Sequence, residues 1–352
     1  MHFAFTDTQL EFRDTVRQVL ARECTPDDVR AAYEAPAART PRWATLADLG
    51  VAGLTVPEAH GGLGLGLVDL VLLAEEAGRV ALPEPLVATT GLAAPLLADL
   101  AATGAAGTAG ARMGPWLDAV AAGDLVAAVA DPARPSAPVA GAVGADLLLL
   151  VADGPDGPEL HGLDGGSVPV TPVPSLDPTR RLGTPAWTPS PDTVLVAGAG
   201  AAPHLAATAD RAAVATGAEL LGLADAMVAR SAAYAKDRQQ FGRPIGSFQA
   251  VKHLLAGAQV LLEFARPVVY GAAWALDTGD AHASRAASVA KARASDAAAE
   301  AARVSLQVHG AIGYTWECDL HLFLKRTWAL AEAWGSAVDH RARLLDSLLA
   351  ER

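Results

Sequence analysis

From about Ala206 to its end the chain reads as alanine-rich helix, interrupted near Gly242 to Gly246, near Asp277 to Asp280 and at Gly310 to Gly313. Alanine is the strongest helix former, so this stretch is committed to a few long helices, and long helices in a globular chain are held mainly by packing on one another. The remainder has to be read around such a bundle. From Thr6 to Arg22, Leu10, Phe12, Val16, Val19 and Leu20 recur near helical spacing, with Asp7 in the first turn. A second helical piece surrounds Trp43 to Leu49 and stops at Gly50, and a third runs from Leu67 to Arg79 with Glu75 and Glu76 near its end. The segment between them, Val51 to Gly62, reads as a short extended stretch entering a glycine loop.

Around residue 123 the character changes. Gly and Pro rise, and β-type runs appear at Leu125 to Ala130, Ala145 to Ala152 and Thr193 to Ala197. Asp153-Gly154-Pro155-Asp156-Gly157 is a hairpin signal. Helices, then strands, then helices again segregate rather than alternate, which predicts a mainly helical α+β fold. The expected divisions are a helical domain over 1–122, a β domain over 123–202 and a helical bundle over 203–352.

A chain of 352 residues buries a sizeable core without staples. Its two cysteines, Cys24 and Cys318, are far apart, which argues against a disulfide framework or a zinc site and fits a reducing cytoplasm; no metal is expected. A net charge of -12 argues against nucleic acid as a partner, although a local basic patch could hold a phosphorylated small molecule. The opening Met1-His2-Phe3-Ala4-Phe5, followed by Asp7, Glu11 and Arg13, lacks the basic start and apolar middle of a secretory signal. Mean hydropathy is +0.25, much of it from alanine, and the apolar stretch from Leu86 is cut by Pro95 and Asp99. The expectation is a soluble chain with no membrane partner.

Two stretches carry candidate chemistry. Tyr234 to Gln249 closes one helix, makes a Gly/Pro turn and opens another, with Ser247 as the expected cap and Gln249 in the first turn. It gathers Arg238, Phe241 and Gln249, a guanidinium, an aromatic ring and an amide, beside a helix start whose amides favour anions. By spacing alone it is equally an ordinary helix-helix corner. Gln307-Val308-His309-Gly310-Ala311-Ile312-Gly313-Tyr314 breaks a helix with two glycines that let backbone approach a ligand. It lacks the preceding strand and three-glycine spacing of a dinucleotide fingerprint.

Together these motifs resemble the acyl-CoA dehydrogenase family. Arg238, Phe241-Gly242 and Gln249 match one family pattern, and Gln307, Gly310, Gly313 and Tyr314 match another. Leu49 to Leu54, Val56-Pro57-Glu58, His60-Gly61-Gly62 and Glu75 to Arg79 are similar to its amino-terminal half. Leu176-Asp177-Pro178-Thr179-Arg180-Arg181 is similar to actinobacterial sterol-degradation relatives. The resemblance implies a helical amino-terminal domain, a small β middle domain and a carboxy-terminal four-helix bundle that dimerises. It also implies FAD at a subunit interface, with Arg238, Phe241, Gln249, Gln307, Gly310 and Gly313 reaching its adenosine and diphosphate end. The substrate implied is an acyl-CoA thioester, and the electron acceptor an electron-transfer flavoprotein.

The family chemistry takes a proton from the carbon beside the thioester carbonyl and passes a hydride from the next carbon to flavin, so it requires a placed carboxylate. Counting along the family pattern puts Trp334, before Gly335, at the commoner base position and Ala212 at the other; neither accepts a proton. Asp210 and Glu332 each sit two residues away, about 200° around a helix, and Asp210 beside Arg211 also reads as a solvated pair. The catalytic residue is therefore unassigned, with Asp210 the candidate. Val129 to Pro135 leads almost directly to Ala142-Val143-Gly144-Ala145-Asp146, so the hairpin that holds the flavin ring in relatives is expected to be missing and the middle domain truncated. Three readings follow: a silent subunit of a heterotetramer with a longer acyl-CoA dehydrogenase chain, a self-sufficient homo-oligomer using Asp210, and a non-redox thioester-binding scaffold.

Overall fold

The computed structural model describes residues 4–35, 40–104 and 108–350; Met1 to Phe3, part of the chain start read above, lie outside them. In chain order the helices are α1 (Asp7–Glu23), α2 (Pro26–Glu34), α3 (Pro41–Asp48), α4 (Leu67–Arg79), α5 (Ala94–Thr103) and α6 (Met113–Ala121). The strands follow: β1 (Ala127–Val129), β2 (Leu147–Gly154), β3 (Gly157–Asp164), β4 (Val170–Pro172), β5 (Gly183–Pro185) and β6 (Val194–Ala197). Five helices complete the chain: α7 (Ala201–Asp237), α8 (Gln249–Asp277), α9 (Ala283–His309), α10 (Leu320–Glu332) and α11 (Ala337–Leu349). The mainly helical α+β class is as the sequence indicated.

Local chemistry explains the borders. Thr6 and Gln9 form a capping box at the start of α1, Pro41 opens α3 behind the Thr40 cap, and Gly50 leaves α3 at φ 82°. Val51 to Gly62 is not extended: it is a run of tight turns with a short 3-10 turn at Glu58–His60. Backbone bonds Leu63 N to Gly53 O and Leu65 N to Leu54 O fold this stretch on itself, a pairing that residue type does not announce.

Contacts divide the chain into two units, one of residues 1–30, 71–82 and 213–352, the other of 31–70 and 83–212. The second unit holds the sheet, ordered β1-β2-β3-β6, with β1 parallel to β2 and the other pairs antiparallel. The expected hairpin is present, turning between Gly154 and Gly157. Leu147 to Leu150 are buried without alternation, as in a strand covered on both faces. Residues 131–146 make only turns and one isolated bridge, Val139 to Gly183, so no hairpin occupies that stretch.

In the first unit α4 and α7 cross at glycine. A Cβ at Gly78 would lie 2.1 Å from Glu219 O, and one at Gly222 would lie 1.9 Å from Glu75 O, so only glycine permits this approach. Beside the crossing, buried Glu75 accepts from Arg79 at 2.9 Å and Arg266 at 3.2 Å and takes the Tyr270 hydroxyl, while buried Glu76 accepts from Arg17 at 2.6 Å. Each buried carboxylate is thus paired and hydrogen-bonded, the condition for keeping charge out of water. α7 is long and apolar enough to cross a membrane, yet 83% of its most apolar window is buried inside the protein, as in a core helix.

Candidate functional site

The stretch from Tyr234 to Gln249 carries more structure than a plain corner. After α7 ends at Asp237, Gln239–Gln240 pairs with Arg243–Pro244 in a two-rung hairpin. Phe241 and Gly242 form its tip with φ 53° and 75°, both left-handed, as two-residue hairpin turns require. The Phe241 ring is 91% exposed and stands edge-on to Phe248 at 6.0 Å, over which the Arg243 guanidinium lies at 4.1 Å. Arg238 and Gln249 are exposed as well. The cap of α8 is Phe248, not Ser247 as expected: Ser247 ends a 3-10 turn instead, and no side chain caps the α8 amides. Gly246 sets this geometry, since a Cβ there would lie 2.9 Å from Ala235 O.

The second stretch ends α9. Gln307 is exposed on its last turn, Gly310 leaves the helix at φ 65°, and Gly310–Tyr314 forms a 3-10 turn. Gly313 is buried, and a Cβ there would crowd Leu306 Cδ1 at 3.0 Å and His309 Cβ at 3.2 Å. Tyr314 and Trp316 project outward, the latter under the Lys325 ammonium at 4.2 Å.

One contact missed by spacing joins the two stretches. The Tyr234 ring stacks on the His309 ring with centroids 4.4 Å apart and planes at 17°, so the ends of α7 and α9 lie side by side. Arg238, Phe241 and Gln249 thereby share one end of the helical unit with Gln307 and Gly310. Burial pushes the His309 imidazole below its usual range, and Arg230 pushes it the same way, against the bond from its Nδ1 to Ser305 O at 2.8 Å. It stacks as a neutral ring. No sequence pattern marks Tyr234 and His309 as partners, because they stand 75 positions apart in the chain.

The positions where the family resemblance expects a base look different. Ala212 is fully buried in α7, and Asp210 is also buried at 6% exposure, not a solvated pair with Arg211; the Arg211 guanidinium turns instead to Asp99 at 4.0 Å. Glu332 is exposed at the end of α10. Trp334 stands half-buried in the turn between α10 and α11 with φ 57°, followed by Gly335 at φ 94°. Among the described residues no cluster of His, Cys, Asp or Glu could hold a metal ion.

The arrangement suits an anionic, partly aromatic ligand such as FAD. An exposed guanidinium, uncapped helix amides and an exposed ring converge, and space for close approach is open, since a Cβ at Gly242 or Gly310 would meet nothing within 4 Å.

Comparison with known proteins settles the class. The acyl-CoA dehydrogenase N-terminal domain matches residues 6–104 and the acyl-CoA dehydrogenase C-terminal domain matches 204–348. The chain is 34% identical over 334 residues to acyl-CoA dehydrogenase IpdE2 of Mycolicibacterium smegmatis, covering 94% of this chain and 96% of that one. It is 36% identical over 306 residues to acyl-CoA dehydrogenase FadE34 of Mycobacterium tuberculosis, covering 81% of this chain and 39% of that one. Among solved structures, a variant of the Tcur3481-Tcur3483 steroid ACAD superposes with a TM-score of 0.82 at 28% identity, over 98% of each chain. The ChsE4-ChsE5 complex of Mycobacterium tuberculosis shares the fold, with a TM-score of 0.85 at 22% identity over the full length of both. The chain belongs to the acyl-CoA dehydrogenase family, oxidoreductases acting on the CH-CH bond of acyl-CoA thioesters.

Proposed function

We propose that this chain is a subunit that completes a FAD site at an oligomer interface, for α,β-dehydrogenation of an acyl-CoA thioester whose proton is taken by a carboxylate of a longer acyl-CoA dehydrogenase partner. The observation that carries this reading is the contrast between an outward-facing cluster of Arg238, Phe241, Gln249 and Gln307 and a Trp334 side chain where a base is needed. Arg238 and the first amides of α8 would hold the diphosphate, and Phe241 and Gln307 the adenosine end, with Gly310 and Gly313 letting backbone come close. When bound, FAD supplies the acceptor for the hydride that leaves the β-carbon. The paired designation and the word steroid in the Tcur3481-Tcur3483 relative support a two-chain assembly and a steroid-derived acyl group. Electrons would pass on to an electron-transfer flavoprotein in the cytoplasm.

A second reading has one observation behind it. Asp210 is a buried carboxylate on α7, two residues from the vacant position at Ala212, which makes it the candidate base of a self-sufficient homo-oligomer. An absorption spectrum of the chain purified alone separates the two. A colourless protein that acquires the flavin band at about 450 nm only with a second subunit supports the partner reading, whereas stoichiometric flavin bleached by an acyl-CoA supports the second. Asp210→Asn then abolishes turnover only in the latter case.

A further inference from the structure

The turn between α10 and α11 is held from two sides by buried groups. Lys291 of α9 is fully buried, and its three ammonium N–H donors meet three acceptors: Ser295 Oγ at 3.2 Å, Ala331 O at 2.9 Å and Gly335 O at 3.0 Å. Ala331 lies in the last turn of α10, where carbonyls lack helical partners and the helix dipole is negative, so a cation is favoured there. From the other side His340, buried on α11, donates from Nε2 to Trp334 O at 2.9 Å, and its Nδ1 faces the Ser288 hydroxyl at 3.3 Å. α11 itself is fixed by the Ser336–Asp339 capping box.

Between these supports the backbone is strained. Trp334 adopts φ 57°, a region that a bulky side chain disfavours, and a Cβ at Gly335 would lie 3.0 Å from His340 Nε2. Strain of this kind persists only where surrounding contacts over-determine it, and a buried ammonium with every donor used is such a contact.

We propose that Lys291 and His340 are positioning residues that lock residue 334 in the left-handed conformation, so that the side chain at 334, not the turn beneath it, decides whether this chain presents a carboxylate or an indole at the acyl site. That residue 334 stands at the acyl site rests on the function proposed above; the lock itself does not. The turn is a rigid pedestal, and in this chain it carries an indole.

The lock is tested on the full chain, without FAD or thioester, by comparing Trp334→Ala with Trp334→Gly. Both delete the indole, but only glycine takes the left-handed conformation without strain. With Lys291 in place, Trp334→Gly melts about 2 °C or more above Trp334→Ala; in the Lys291→Met background that advantage disappears, because the freed turn relaxes around alanine. The near-UV circular dichroism of Trp334, taken as wild type minus Trp334→Phe, is lost in Lys291→Met while the far-UV helix signal stays. If Lys291→Met does not fold, His340→Ala carries the same comparison. An equal glycine advantage with and without the lock, or none in either background, overturns the proposal. Failure of the site reading would show in the flavin measurements and leave these midpoints unchanged.

Discussion

Two aromatic-glycine pairs in the helical unit sit in left-handed backbone, Phe241-Gly242 between α7 and α8 and Trp334-Gly335 between α10 and α11. The first is supported by little: its hairpin has two rungs and its ring is almost wholly in solvent. The second is bound from below by Lys291 and from the side by His340. An exposed ring on a left-handed tip gains little from its own fold beyond the edge contact with Phe248. A buried clamp under a half-buried indole is complete in itself. One turn is open to solvent, where the proposed cofactor site lies, and the other is closed by buried groups.

The comparison breaks most readily at its rigid end. His340→Ala leaves Trp334 O and Ser288 Oγ without their buried partner and should lower unfolding free energy by about 2–4 kcal/mol in urea denaturation; a loss below about 1 kcal/mol would mean the turn stands without the clamp. At the open end, Arg238→Ala removes the guanidinium expected to meet the diphosphate. FAD retained by the purified complex should fall about 10- to 100-fold in affinity, and unchanged flavin content would remove Arg238 from the site.

A pH series probes the Tyr234–His309 stack that joins the two candidate stretches. His309 is held neutral, its folded pKa below the unfolded value of about 6.5. In acid the unfolded chain therefore takes up the proton first. Stability from this group is present above about pH 6.5 and is lost as pH falls from there through the folded pKa. His309→Phe should flatten that acid loss, measured as urea midpoints at about pH 7.5 and 5.5, and FAD retention in the wild type should fall over the same range. The smallest effect is expected for Phe241→Ala, within about 0.5 kcal/mol of wild-type stability because the ring buries so little; a clear drop in FAD retention alongside that null result would sharpen the contrast between the two turns.

Much of the fold is legible in the residues alone. Helical periodicity placed α1 and α4 within a residue of their ends, and the Asp/Gly/Pro cluster at 153–157 placed the β2–β3 hairpin. These signals are local: a period, a cap or a turn residue acts within a few positions of itself. Ser247 misled because a 3-10 turn moved the helix start to Phe248, a shift of one residue that caps alone do not fix.

By itself, the sequence determined the mainly helical α+β class, the resemblance carried by Arg238, Phe241, Gln249, Gln307, Gly310 and Gly313, and the lack of a carboxylate at Ala212 and Trp334. Only the tertiary structure decided that Tyr234 meets His309, that Asp210 is buried rather than solvated, and that Lys291, which no sequence pattern singles out, is buried beneath the Trp334 turn. The physical reason is distance along the chain. Residue type and period report on neighbours within a few positions, whereas burial, stacking and the partner of a charge depend on segments tens of residues away that only packing brings together.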